Sequence, residues 1–196
     1  MKKFLKIMLA FTLVLTLASC GKKNETNEAN TNNKGNAENM AEATKMQDVG
    51  LNDFNFQTLD IKTGDMVDSK DFYGKKPLTF VNIWGTFCTP CIEEMEDLEK
   101  LHQKYKNDMN FLGVVSDTNA TLDTNVEEAL NILDKKGVTY TNIMPNPTMD
   151  DYMAKVSVIP TTLIVDKDGV VLGGFVGAMN FETWDATISH VLEENK

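Results

Sequence analysis

Cys88 and Cys91 are separated only by Thr89 and Pro90, in the stretch Trp84-Gly85-Thr86-Phe87-Cys88-Thr89-Pro90-Cys91. Two thiols at this spacing can bond to each other and exchange that bond with another disulfide, provided they sit where a helix begins. The flanking residues predict such a start. Leu78 to Trp84 is an apolar, β-branched run that reads as a buried strand. Beyond the pair, Ile92, Met95, Leu98, Leu101 and Tyr105 recur every three or four residues, as on an amphipathic helix. A sulfur in the first turn of that helix meets unpaired backbone N–H groups and the positive end of the dipole, which favours a thiolate. Cys88 is therefore expected to attack a substrate disulfide. Cys91, one turn further in, is expected to be shielded and to resolve the mixed disulfide. Pro90 fixes the loop between them.

Residue types alone leave two other uses of the pair open. A zinc site needs two more ligands, and only His102 and His190 remain, neither at a usual spacing, so no metal is expected. A purely structural disulfide would close too small a loop to add much stability. Glu94 lies one helical turn from Cys91, near enough to raise thiol pKa values by like-charge repulsion. The plainer reading puts it on a solvated acidic face with Glu93, Glu96 and Glu99. Trp84 is expected to pack the strand end against the active-site turn. In Ile159-Pro160-Thr161, a proline at the entry to a strand asks for a special turn.

The rest of the chain divides into three parts. Residues 1–19 carry Lys2, Lys3 and a short apolar run, the pattern of a secretory signal too brief to span a membrane stably. The run ends Leu17-Ala18-Ser19-Cys20, similar to a bacterial lipobox; that likeness implies cleavage before Cys20, lipidation of its sulfur and a membrane anchor. It also accounts for an odd total of three cysteines. Residues 20–48 are rich in Asn, Lys, Glu and Thr and read as a disordered tether. Residues 49–196 read as one folded domain. The formal net charge of −10, with lysine the only basic residue besides two histidines, excludes nucleic acid as a partner.

Within that domain, Phe54–Leu59 and Met66-Val67 around Gly64-Asp65 predict a β-hairpin. Phe111–Val115 predicts a second buried strand. Thr124 and Glu127 have capping-box spacing ahead of a helix with Val126, Ala129, Leu130 and Leu133 on one face, closed by Gly137. Thr139–Ile143 predicts a short strand, residues 148–155 a helix, and residues 158–165 a strand. Lys167-Asp168-Gly169 joins that strand to Val170–Val176. Asn180 caps a last helix with Trp184, Ile188, Val191 and Leu192 facing inward. This order gives an α/β thioredoxin fold, a central mixed sheet flanked by helices, with an N-terminal β-hairpin extension and an inserted helix-strand element.

Taken together, Trp84 to Cys91 with Glu94, Ile159-Pro160-Thr161-Thr162 and Asp166-Lys167-Asp168-Gly169 resemble the membrane-anchored TlpA/ResA-like thiol-disulfide oxidoreductases, over about residues 50 to 194. The resemblance implies a cis bond at Pro160, with the Ile159-Pro160 backbone beside Cys88 receiving the substrate chain. It implies that Glu94 is a partly buried carboxylate that tunes the cysteines and moves protons. Trp84, Phe87, Pro90, Ile159 and Pro160 are the expected active-site wall. The chain departs from the thioredoxin pattern at three positions. Asn82 stands where a buried aspartate is usual, Phe87 replaces a tryptophan, and Glu96 replaces a helix proline.

The function this implies is an extracytoplasmic, lipid-anchored reductase of disulfides in exported proteins, with no cofactor besides its own cysteines. A CcdA- or DsbD-like membrane protein is the implied electron donor, and apocytochrome c or a methionine sulfoxide reductase the candidate acceptors. Three alternatives remain at this stage: a disulfide-forming oxidase using the same pair, a thiol peroxidase, and a non-enzymatic lipoprotein binding module. The peroxidase lacks its Pro-x-x-x-Thr-x-x-Cys context here.

Overall fold

The computed structural model describes residues 45–120 and 125–195. The predicted signal segment, Cys20, most of the tether and Thr124 lie outside the described residues. The elements follow in the order β1 (Gln57–Leu59), β2 (Met66–Asp68), α1 (Ser69–Tyr73), β3 (Leu78–Trp84), α2 (Thr89–Tyr105) and β4 (Met109–Val115). Then come α3 (Val126–Lys135), β5 (Thr141–Ile143), a 3-10 turn at Pro147–Met149, α4 (Asp150–Met153), β6 (Thr161–Asp166), β7 (Val171–Val176) and α5 (Phe181–Glu194). Among the described residues no helix is long and apolar enough to cross a membrane.

Five strands form the central sheet in the order β5-β4-β3-β6-β7. β3 and β4 are parallel, as are β4 and β5, whereas β6 runs antiparallel to β3 and to β7. β3 is buried along its whole length, as a continuous apolar run in the middle of a covered sheet requires. Its alternation divides the core. Leu78, Phe80 and Trp84 face α2 and α5, where Met95, Leu98, Leu101, Trp184, Ile188 and Val191 pack. Val81 and Ile83 face Phe54, Phe56, Tyr73 and Met149 on the other side. Asn82 falls on the α2 side of the same strand and is buried there.

Several predicted boundaries move. Residues 158–160 are not strand: β6 begins at Thr161, after the cis Ile159–Pro160 peptide. The helix predicted at 148–155 resolves into the 3-10 turn and the four-residue α4. The cap of α3 also differs, because Asn125 occupies the N-cap with φ 56° and makes no side-chain cap bond. With Glu96 in place of a helix proline, α2 runs unbroken for 17 residues.

Backbone pairing is also present ahead of residue 49. Gln47 and Gly174 exchange backbone hydrogen bonds, each of 2.9 Å, and Val171 N–H donates to Asn52 O at 3.0 Å. Residues 45–54 therefore form a strap on the outer edge of β7, covering backbone groups that would otherwise be an open template for pairing. The strap is antiparallel to β7, so its lower-numbered end lies toward Val176. That residue pairs with Thr161, beside Pro160.

The inserted α3–β5 element is tied to the central strand through a gap in β4. Asn142 on β5 reaches across Gly113 to accept the Trp84 indole N–H at 3.0 Å. A Cβ at position 113 would stand 1.8 Å from Asn142 Oδ1, so only glycine lets the two side chains meet. Gly113→Ala should therefore destabilise the protein by roughly 2–3 kcal/mol, through overpacking and loss of the buried bond. Urea unfolding of the oxidised variant measures it.

Candidate active site

The end of the sheet where β3 stops and β6 starts brings the sulfur chemistry together. Cys88 is the N-cap of α2, half a step before the first turn, and Pro90 lies within that turn. Proline is tolerated there because its missing N–H has no helical partner in any case. The Cys91 N–H points back at Cys88 Sγ, 3.3 Å away. The sulfur thus takes the place that a serine or aspartate oxygen usually fills at a helix start. The two cysteines form a disulfide, with their Cα atoms 5.3 Å apart. Cys91 is wholly buried, whereas Cys88 keeps 7% of its surface exposed. Of the two cysteines, Cys88 is the one that reaches the surface.

The wall around Cys88 comes from the flanking loop and from the cis-proline turn. The Ile159 carbonyl oxygen lies 3.7 Å from Cys88 Sγ. Phe87 is 73% exposed and forms an apolar lip beside the sulfur, and Pro90 is also exposed. Pro160 is buried and Ile159 half-buried. Trp84 is different. It has no exposed surface and its indole N–H is committed to Asn142. It therefore stands behind the active-site turn and supports the wall from within.

Glu94 does not belong to an acidic surface face. It is 5% exposed, on the buried stripe of α2 with Cys91, Met95 and Leu98, while Glu93 and Glu96 point outward. Its Oε1 accepts from Asn82 Nδ2 at 3.2 Å. Its Oε2 accepts from the Met179 backbone N–H at 3.2 Å and from the Trp184 indole at 3.3 Å. Burial pushes its pKa up from 4.5 to about 7, although the three N–H donors favour the charged form and pull it back. Asn82, at the usual aspartate position, also donates to Thr162 Oγ1 at 3.2 Å. Its own carbonyl oxygen is buried without a partner among the described residues. The buried titratable group of this site is therefore on the helix, and the strand contributes a neutral amide.

Sequence reasoning missed three residues here: Trp184 and Thr162, which complete the Glu94 network, and Asp117. Asp117 follows β4 and accepts from the Thr86 backbone N–H at 2.9 Å. The one signal for it was position, since the carboxyl ends of neighbouring parallel strands gather functional groups. Among the described residues no cluster of three or more His, Cys, Asp or Glu side chains is placed to hold a metal ion. His102 packs instead against Phe111 and Tyr140, and burial lowers its pKa.

A disulfide at the start of a helix, beside a cis-proline turn on a five-stranded mixed sheet, is the arrangement of thioredoxin-like proteins, and residues 41–189 match the family described as Redoxin. The chain belongs to the redoxin family. Thiol-disulfide oxidoreductase ResA of Bacillus thuringiensis (strain Al Hakam) is 28% identical over 153 residues, covering 78% of this chain and 83% of that protein. Thioredoxin-like protein YneN of Bacillus subtilis (strain 168) is 29% identical over 148 residues, 72% of this chain and 81% of that protein. The crystal structure of a DsbF homologue from Corynebacterium diphtheriae matches the fold with a TM-score of 0.58 at 21% identity, covering 74% of this chain and 91% of that one. Within the redoxins this is a TlpA/ResA-like member of the thioredoxin superfamily. It is a thiol-disulfide oxidoreductase with Cys88 and Cys91 as its pair, and such enzymes work through the disulfide itself without a cofactor.

The raised Glu94 pKa has a measurable consequence for stability. Between about pH 4.5 and 7 the folded redoxin holds a proton that the unfolded chain has lost, so stability falls as pH climbs through that window. The full loss from this one group is about 3 kcal/mol. Denaturant unfolding of oxidised protein at pH 4.5 and pH 7.5 should show this drop, and Glu94→Gln should remove it.

Proposed function

We propose that this redoxin reduces disulfides in exported proteins on the outer side of the cytoplasmic membrane, with Cys88 attacking and Cys91 resolving. The observation that carries the exchange chemistry is the asymmetry of the pair: a cysteine at the helix N-cap that keeps a little exposed surface, and a wholly buried one a turn behind it. In the dithiol form the Cys88 thiolate, favoured by the Cys91 N–H and the helix dipole, attacks one sulfur of a substrate disulfide. That bond breaks, the first substrate sulfur leaves as a thiolate and takes a proton, and a mixed disulfide forms on Cys88. Cys91 then gives up its proton, attacks the Cys88 sulfur and expels the second substrate thiolate. Two electrons pass from the pair to the substrate, and the Cys88–Cys91 disulfide remains.

Glu94 is the group placed to take the Cys91 proton. It lies one helical turn from Cys91, and a carboxylate with a pKa of about 7 exchanges protons readily near neutral pH. The substrate chain would lie against Phe87, Pro90 and the Ile159-Pro160 turn, next to the one accessible sulfur.

Direction and location rest on the sequence. The apolar N-terminal run and Leu17-Ala18-Ser19-Cys20 support export and a lipid anchor on Cys20, with the Asn-, Lys- and Glu-rich segment that follows as the tether. Disulfides form readily outside the membrane, so a reductant there needs electrons delivered from within. A CcdA- or DsbD-like membrane protein would supply them. Apocytochrome c with an oxidised haem-binding pair, or an extracellular methionine sulfoxide reductase, would receive them.

The reduction potential tests direction. A value near about −270 mV supports the reductant, whereas one near about −120 mV makes the protein a disulfide-forming oxidase. Cys88→Ser should abolish insulin disulfide reduction, and Cys91→Ser should accumulate mixed disulfides whose partners mass spectrometry can identify. Glu94→Gln should slow resolution of the mixed disulfide roughly a hundredfold at neutral pH in stopped-flow measurements.

A further inference from the structure

The loop from Gly85 to Phe87, which delivers Cys88 to α2, belongs to no strand or helix and is held from outside. Its main holder is Asp117. The Thr86 backbone N–H donates to Asp117 Oδ1 at 2.9 Å, and the Thr86 hydroxyl donates to Asp117 Oδ2. One carboxylate thus takes both polar hydrogens of the residue two positions before Cys88.

Asp117 is itself fixed. Asn125, at the N-cap of α3, donates its amide to the Asp117 backbone carbonyl at 2.9 Å and to Oδ2 at 3.3 Å. The Asn125 side chain is turned to Asp117 in this way and makes no cap bond to its own helix. The neighbouring Ser116 N–H donates to Trp84 O at 2.7 Å, so the start of the inserted element grips both ends of the turn out of β3.

The grip passes directly to the sulfur. A Cβ at Gly85 would stand 3.1 Å from Ile159 Cδ1 and 3.2 Å from Ser116 Oγ, so the loop is wedged between the clamp and the cis-proline turn. The Gly85 carbonyl then accepts the Cys88 N–H at 3.0 Å. Charged acceptors make the stronger kind of hydrogen bond, which suits Asp117 to hold a loop that has no ladder of its own.

We propose that Asp117 is a positioning residue for Cys88. Through Thr86 and Gly85 it keeps the sulfur at the N-terminus of α2 and against the Ile159 carbonyl, and the inserted α3–β5 element is the frame that holds Asp117 in place. The proposal rests on Cys88 being the attacking thiol. A plain turn cap would stabilise the fold and leave the chemistry of the sulfur unchanged.

The test uses the reduced full-length protein and two readouts. One is its second-order rate with 5,5′-dithiobis(2-nitrobenzoate), the other the pH profile of Cys88 alkylation resolved by peptide mass. Asp117→Ala should lower the rate roughly ten- to a hundredfold and move the alkylation midpoint upward, because a displaced sulfur loses the helix N–H groups. Asp117→Asn keeps an acceptor for the Thr86 N–H but loses the one that takes the Thr86 hydroxyl, so it should fall between Asp117→Ala and wild type. Thr86→Val removes only the hydroxyl bond and should fall between. Tyr152→Phe, which loses a 2.6 Å bond to Asp53 away from the redox loop, should lower the melting temperature without moving the profile.

An Asp117→Ala protein with unchanged rate and midpoint overturns the proposal. Equal shifts in Asp117→Ala and Asp117→Asn also overturn it, because the acceptor that asparagine keeps for the Thr86 N–H would then position nothing. If Cys88→Ser keeps the wild-type rate, the reading of Cys88 as nucleophile fails instead, independently of the clamp.

Discussion

A helix start can satisfy its unpaired N–H groups with only a few kinds of partner, and here one of them is a sulfur that must also react. Cys88 caps α2 through the Cys91 N–H, so the same group that ends the helix carries the chemistry. This dual use constrains its surroundings. No serine or aspartate can hold the helix start in its place, so the geometry is secured from both sides. The Asp117 clamp holds the incoming loop, and the cis Ile159–Pro160 turn stands opposite. The buried stripe of α2 then fixes the helix against β3 and α5.

The second constraint is the carboxylate inside that packing. Glu94 is the one carboxylate buried in the core of the described residues, and its partners come from three different elements or loops: Asn82 on β3, the backbone at Met179, and Trp184 on α5. A buried acid with this many donors links the redox helix to the terminal helix by polar contacts as well as by packing. It also leaves the interior charged or neutral according to pH near neutrality, a property that a fully apolar core lacks.

The sequence made the sheet legible because β3, β4 and β6 are covered on both faces and so read as unbroken apolar runs. The cysteine pair, the last helix with its Asn180 cap and the hairpin at Asp168 were equally local signals. What escaped was non-local. Glu94 sits in line with Cys91, Met95 and Leu98, but among its acidic neighbours the residue pattern left its burial open, and only the family resemblance pointed to it. Asp117 has no pattern of its own, since its task exists only where the ends of two strands meet. Residues 158–160 look like strand by composition, but Pro160 cannot donate to a ladder. The strap at Gln47 pairs through backbone alone, which polar composition does not reveal.

That strap gives the domain a mechanical polarity. Because it runs antiparallel to β7, with residue 45 toward Val176 and the cis-proline turn, any tension along the preceding chain enters at the redox end. It also enters along the axis of the strap. Pulled lengthwise, its backbone bonds to Gly174, Val171 and Gly169 bear the load together in shear instead of opening one after another. The hairpin at Asp168, at the opposite end of the sheet, is the last part of the edge to feel it.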